Sequence, residues 1–342
     1  MKKTFFIIIV MLALTGCSAS KETMSENSIA MDYLSQCNVK NSHIDTVKYE
    51  EISSYKNTPP TRNLTYISKN IDEVLESFYS IELSEDDIIN QGDFLIFELE
   101  LLKKDETSVF TDERAKLMIG TGLFDESVEK ELTGKPVNET YVFNAGDKVK
   151  EFYNISDAEK LIIKPKEIYQ YNILGSDTQT FLNENNFSGL KDLYIYLFNV
   201  KVDEQDFEKN TAIKNEFISY AIEKCTFTIS YDDLKNYSTK VFEEHMHSAE
   251  SLGINIDDYY TNVLSLNEDE FFRMCADTAE YEIKKCLLTG ALSQHFSINV
   301  SNDYIEKFCE AGKIDYSDSV LKAYADYFCL ESLVISEFVD LI

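Results

Sequence analysis

The stretch Phe94-Leu95-Ile96-Phe97-Glu98-Leu99 decides the fold of the middle of the chain. It is short and apolar and follows Gly92, which predicts a buried β-strand. Further strands are predicted at four other short apolar runs: Leu117-Met118-Ile119, Tyr141-Val142-Phe143, Leu161-Ile162-Ile163 and residues 168–173. One short helix is predicted between them, over Glu126 to Leu132. Short strands around a single helix indicate an antiparallel α+β domain, which we assign to residues 91–174.

The pattern changes after Gly175, and residues 175–342 are predicted to form an all-α domain. Capping residues mark several helix boundaries. They are Ser230 and Gly253, Asn267 with Glu270, and Ser301 and Gly312. The last helix is predicted over 317–341 and carries a wide apolar stripe, which is expected to pack against neighbouring helices. The stripe consists of Val320, Leu321, Tyr324, Phe328, Leu333 and Phe338.

Residues 46–90 are predicted to form a reduced segment of one strand and one or two helices. An edge strand is expected over 47–55 and a short helix over 70–80. Ser84 with Asp87 resembles a capping box, which predicts a further helical turn.

The N-terminus carries an export signal. Lys2 and Lys3 precede an apolar run that is too short to span a bilayer, so residues 1–16 are predicted to be a signal peptide. The run ends in Leu14-Thr-Gly-Cys17, which resembles the bacterial lipobox. This resemblance implies that Cys17 is lipidated, that residues 17–45 form a tether, and that the protein is extracytoplasmic and anchored to the bacterial cell membrane. An ordinary secretory signal, with Cys17 as a plain thiol, is the alternative.

Charge limits the set of partners. The formal net charge of −29 repels nucleic acid and anionic lipid head groups. No cofactor or metal site is predicted, because His245 and His247 lie two residues apart on a helix and point about 200° apart.

The remaining cysteines show no zinc-binding spacing. They are Cys37, Cys225, Cys275, Cys286, Cys309 and Cys329. Four of them lie in helical apolar patterns, which favours buried thiols, although disulfides stay open in an exported protein.

Two parts of the chain resemble trigger factor. Ile119-Gly-Thr-Gly122, Leu132-Thr-Gly134 and Glu139 follow, without a gap, the pattern IGxGxxIPGFExxLxGxxxGE of its FKBP-type isomerase domain. Cys225-Thr-Phe-Thr-Ile-Ser230 is similar to the strand and cap that open its C-terminal helices. The resemblance covers about residues 90–342. It implies an FKBP-like domain followed by a helical chaperone domain. The ribosome-docking loop of the family is absent before residue 90, so no ribosome partner is expected.

The resemblance assigns a prolyl isomerase pocket to six positions: Phe97, Leu99, Phe110, Phe124, Val128 and Tyr153. Such a pocket needs apolar, mostly aromatic walls and no acid or base. Leu99 and Val128 stand where the family has aromatic residues, and Asp125-Glu126-Ser127 replaces Ile-Pro-Gly. These changes predict weak or lost isomerase activity, although plain core packing also explains Phe97 and Phe110.

The resemblance thus implies a membrane-anchored folding factor that binds unfolded or newly exported polypeptides. The helical domain is expected to contact these clients through Tyr259, Tyr260, Phe271 and Phe272. An active FKBP-type prolyl isomerase is the alternative enzyme, and a lipoprotein that binds one partner or small ligand is a third reading.

Overall fold

The computed structural model describes residues 33–34, 39–57 and 61–339. In chain order, the strands are β1 (His43–Thr46), β2 (Tyr79–Leu83), β3 (Phe94–Leu102), β4 (Ser108–Met118), β5 (Tyr141–Asn144), β6 (Lys160–Ile173) and β7 (Thr226–Thr228). The helices are α1 (Tyr49–Ile52), α2 (Leu64–Leu75), α3 (Glu126–Leu132), α4 (Asp147–Tyr153), α5 (Ser176–Glu184), α6 (Leu190–Glu223), α7 (Tyr231–Leu252), α8 (Ile256–Asp258), α9 (Glu268–His295), α10 (Asn302–Gly312) and α11 (Ser319–Phe338). A π-helix, Tyr259–Val263, continues from α8.

The described residues form two compact units. Residues 61–210 make the sheet unit, and the residues before 58 join 211–339 in the helical unit. The N-terminal segment 39–57 therefore belongs with the C-terminal helices, which differs from the linear succession of domains expected from the sequence. Antiparallel pairing of β1 with β7 joins these distant parts of the chain.

The sheet unit contains a five-stranded antiparallel sheet. β3 pairs with one edge of the long strand β6, and β2 and β5 pair with different ends of its other edge. β4 completes the sheet beside β3. The first four residues of β3 are buried on both faces, which explains why its sequence is a continuous apolar run and does not alternate.

Short helices cover this sheet. α3 buries Val128 and Leu132, and α2 buries Ile67, Ile71 and Leu75 in the same core. The mixed α/β architecture, with an antiparallel sheet and many helices, agrees with the predicted α+β class. The predicted bounds of α3 are confirmed.

Several local predictions upstream of the sheet are wrong. No strand forms over 47–55: β1 ends at Thr46, and Tyr49–Ile52 form the helical turn α1. The helix expected over 70–80 begins earlier, at Leu64, and ends at Leu75. Residues 79–83 form β2, because they pair with β6. No helical turn follows Ser84, whose hydroxyl accepts a hydrogen bond from the Asp86 N–H.

The helical unit follows the predicted capping signals closely. The side chains of Ser230 and Ser301 cap α7 and α10, and Asn267 forms a capping box with Glu270 at the start of α9. α7 ends at Gly253, whose φ of 73° lies in the left-handed region that glycine adopts readily.

The expected packing of α11 is only partly correct. Its C-terminal half is packed, and the Phe338 ring stacks on Phe217 at 5.0 Å between centroids. Four residues of the predicted stripe remain exposed: Val320, Leu321, Tyr324 and Phe328. Within the described part of the chain, only Phe308 of α10 is recorded in ring contact with this exposed face, at 5.1 Å from Phe328.

Candidate functional site

The sheet unit brings most of the predicted isomerase positions into one aromatic cluster. The Tyr153 ring lies 4.6 Å from Phe110 and 6.0 Å from Phe124, between centroids, and Phe97 lies 6.5 Å from Phe124. Phe152, which the sequence reading missed, joins them at 4.9 Å from Tyr153. All of these rings are buried except Phe110, which is half-buried. The cluster is therefore filled by its own side chains.

The other two predicted pocket positions lie beside this cluster. Val128 is buried on α3 in the same core. Leu99, on β3, lines a solvent-open depression of about 280 Å³ that is otherwise mostly polar. Leu99 is also buried in the core that contains the aromatic rings.

Asp125 has a structural task at the start of α3. One carboxylate oxygen accepts hydrogen bonds from the Ser127 and Val128 N–H groups, at 2.9 and 3.2 Å, and so caps the helix. The side chain is half-buried. Gly146 makes room for it, because a Cβ at that position would lie 2.5 Å from the other carboxylate oxygen.

Glu129 is a buried acid that the sequence reading overlooked. Its carboxylate accepts hydrogen bonds from the N–H groups of Gly120, Gly122 and Phe124, at 2.8, 2.9 and 3.3 Å. Burial raises the pKa of Glu129, and these donors partly oppose the shift. Glu129 thus fixes the Gly-Thr-Gly loop. The family pattern contains a glutamate at this position, which could have identified Glu129 from the sequence.

The helical unit brings the four predicted client-binding residues together. α7 and α9 are joined by residues 253–267, and their facing ends carry a second aromatic cluster. Tyr260 stacks on Phe271 at 5.1 Å, and Phe271 lies 5.8 Å from Phe272. Tyr259 and Phe271 are buried, whereas Phe272 is half-exposed.

Two residues of α7 complete this cluster and were missed from the sequence. The Phe242 ring stacks on Phe272 at 5.6 Å, and the His245 ring lies 5.5 Å from Phe271. Their spacing of three residues along α7 places both on one face, which was the signal available beforehand.

We define the arm as residues 231–295, the hairpin of α7 and α9 with its connection. Apolar side chains are exposed near its tip: Leu252, Val263 and Phe272 are 49%, 50% and 50% exposed. Because α7 has 22 residues, the tip lies about 33 Å along the helix from the start of α7. The arm therefore exposes apolar side chains to solvent at the end where α7 and α9 are connected.

The charge of the distal arm has one sign. Residues 241–272 contain eight carboxylates and neither lysine nor arginine. The acids are Glu243, Glu244, Glu250, Asp257, Asp258, Glu268, Asp269 and Glu270. Apolar groups surrounded by carboxylates favour ligands that combine apolar and basic groups.

The cysteines within the described ranges are free thiols. Cys275, Cys286, Cys309 and Cys329 are buried, as their helical patterns predicted, and Cys225 is half-buried. Burial raises the pKa of Cys286 and of Cys329, which keeps both thiols protonated at neutral pH. The predicted signal peptide, the lipidation site Cys17 and Cys37 lie outside the described residues.

Neither a membrane-spanning helix nor a metal-binding group is found in the part of the chain that the structure describes. Its helices include none long and apolar enough to cross a bilayer. It also contains no group of three or more His, Cys, Asp or Glu side chains arranged to hold a metal ion.

Comparisons with known proteins give a structural likeness and no match by sequence. No protein-family model matches the chain, and no curated protein matches it. The fold is similar to that of a solved trigger factor chaperone, described as showing promiscuous substrate recognition in folding and assembly activities. Sequence identity is 16%, the TM-score is 0.32, and the match covers 86% of this chain and 72% of that chain. A similarity of this size carries no argument about activity.

Proposed function

We propose that this protein is a folding factor that binds non-native segments of other polypeptides through the tip of the arm. The observation that carries the proposal is the exposure of Leu252, Val263 and Phe272 beside the aromatic cluster. Exposed apolar side chains carried by one helical hairpin support an interaction site there. Exposed apolar side chains on a surface suit weak binding of polypeptide segments with many different sequences.

The acidic surroundings give the binding a preference. Eight carboxylates lie between Lys240 and Arg273, so the distal arm is net negative and attracts basic segments over distances of about 8 Å at physiological salt. Unfolded segments that carry both basic and apolar residues are therefore the favoured clients. Part of their affinity should fall as salt concentration rises.

The proposal places the protein outside the cytoplasm. The signal-like N-terminus and the lipobox-like Leu14-Thr-Gly-Cys17 support an anchor at an acylated Cys17 on the bacterial cell membrane. A folding factor held there would meet newly exported polypeptides.

We assign the sheet unit weak or no prolyl isomerase activity in its resting state. The support is the buried aromatic cluster, in which the rings of Phe97, Phe124 and Tyr153 have almost no contact with solvent. A substrate prolyl ring has to enter such a cluster before the amide can be twisted. An active isomerase remains the alternative enzyme.

Suppression of aggregation tests the proposal. A chemically denatured client is diluted into buffer with the full chain, and light scattering is followed. The wild-type protein should suppress scattering, and the variant Leu252→Ser/Val263→Ser/Phe272→Ser should lose most of this effect. The matched control changes three exposed apolar residues of the sheet unit, Leu83, Val142 and Ile173, to serine. Equal suppression by both variants would refute the arm as the client site.

A further inference from the structure

The loop before α2 is tied firmly to α6. The Arg62 guanidinium makes a two-pronged ion pair with Asp206, with Nε–Oδ1 at 2.9 Å and Nη2–Oδ2 at 2.7 Å. The backbone N–H of Asn63 donates to the buried amide oxygen of Gln205 at 2.9 Å. Both ion-pair side chains are more than four-fifths buried, so the loss of either charge would leave the other buried without its partner.

The same loop and the first turn of α2 lie against the aromatic cluster. Arg62 donates to the Phe152 carbonyl at 3.3 Å, and its guanidinium carbon lies 5.5 Å from the centre of the Phe152 ring. Leu64 is completely buried in the core that contains the cluster. Thr65 donates from its N–H, at 3.2 Å, and from its hydroxyl to the buried carboxylate of Asp112.

Asp112 and Tyr153 are polar groups at the edge of the cluster. Asp112 lies two residues after Phe110 on β4, and the Phe110 ring is 4.6 Å from the Tyr153 ring. The negative charge of Asp112 adds to burial in raising the pKa of Tyr153. Among the described residues, the Tyr153 hydroxyl has no hydrogen-bond partner although it is fully buried. A buried hydroxyl without a partner is unusual in folded proteins.

We propose that residues 61–66 form a strap that closes a latent prolyl-peptide site, with the Arg62–Asp206 ion pair as its latch. When the strap leaves, the Phe152 carbonyl and the Asp112 carboxylate lose the donors on Arg62 and Thr65 that now occupy them beside the rings. Aromatic walls with a few converging polar groups are typical of sites that bind small apolar ligands. The inference rests on the proposed reading of the sheet unit as isomerase-like and is independent of the arm.

The chain contains no tryptophan, so Phe110→Trp places a unique fluorophore in the cluster. Arg62→Asp puts two carboxylates together at the latch, and we expect the open population to rise by roughly 30-fold or more, as for the loss of one partner of a buried charge pair. Acrylamide quenching of the introduced indole should increase accordingly. In the chain with native Phe110, Arg62→Asp should raise turnover in a protease-coupled prolyl-peptide assay by about the same factor.

Two further variants complete the test. Thr65→Val removes one hydrogen bond to Asp112 with little change of shape, and it decides the question if Arg62→Asp does not fold by far-UV circular dichroism. Arg114→Asp is the matched control, because Arg114 forms an exposed ion pair with Glu167 in the same unit at 3.6 Å.

The proposal is overturned if folded Arg62→Asp and Thr65→Val leave quenching and turnover at the Arg114→Asp values. It is also overturned if quenching rises without any gain in turnover. Neither result bears on the suppression of aggregation by the arm, which is measured separately.

Discussion

Asp233 fixes the N-terminal segment to the helical unit. Its carboxylate accepts hydrogen bonds from the N–H groups of Lys40 and Asn41, at 2.9 and 2.8 Å, and from the Ser42 hydroxyl at 2.9 Å. Asp233 is buried near the start of α7, so these donors replace the water that the carboxylate loses on folding. We predict that Asp233→Asn destabilises the helical unit.

The magnitude follows from the pKa of Asp233. Burial alone would raise this pKa, but the hydrogen bonds outweigh burial and hold it at about 2, below the ordinary 3.8. One pKa unit corresponds to about 1.4 kcal/mol, so ionised Asp233 stabilises the fold by roughly 2 kcal/mol at neutral pH. Because the folded-state pKa is lowered, this contribution is present above about pH 4 and is lost as pH falls towards 2.

Urea unfolding followed by far-UV circular dichroism measures the effect. Asp233→Asn should lower the free energy of unfolding by roughly 2 kcal/mol at pH 7, and the difference from wild type should shrink near pH 2. Asp232→Asn, an exposed neighbour, is the control and should change little. Wild-type stability of Asp233→Asn at pH 7, or a difference that persists at pH 2, would refute the reasoning.

Two predictions concern the sheet unit, and both are measured by chemical unfolding. Lys116 is buried, pairs with both carboxylate oxygens of Asp72 at 2.9 and 2.7 Å, and has a pKa lowered by burial. Asp72→Asn leaves this ammonium buried beside a neutral group and should lower the free energy of unfolding by about 3 kcal/mol; a loss below about 1 kcal/mol would contradict this. Glu129→Gln should lower it by about 1–3 kcal/mol, because one acceptor oxygen becomes a donor facing backbone N–H groups. Since burial raises the pKa of Glu129, the stability advantage of wild type over Glu129→Gln should be larger at pH 4 than at pH 7; the opposite trend would contradict this.

Elements with local signals could be predicted from the sequence. The bounds of α3, the capping box of Asn267 with Glu270 and the end of α7 at Gly253 agree with the structure. In each case residues within one or two helical turns determine the boundary. The aromatic cluster of the arm was also partly predictable, because Tyr259, Tyr260, Phe271 and Phe272 lie in two short stretches.

Features that depend on distant partners could not be predicted. β1 exists because it pairs with β7, and Tyr49 of α1 stacks on the distant His295 at 3.6 Å. Arg62 contacts Asp206 and Phe152, which are distant in the sequence, so no local pattern predicts these contacts. The exposure of four stripe residues of α11 could not be predicted, because periodicity indicates an apolar face but not whether a partner covers that face.

Direct binding to an unfolded protein tests the central claim, which is that the arm tip holds non-native polypeptides. The probe is a fluorescently labelled, reduced and alkylated protein that cannot refold, and anisotropy gives its Kd for the full chain. Burying the exposed halves of Leu252, Val263 and Phe272 is worth about 1 kcal/mol each, so their replacement by serine should weaken binding roughly tenfold or more. The Leu83, Val142 and Ile173 variant should bind like wild type. Equal affinity of the arm variant and wild type would contradict the account.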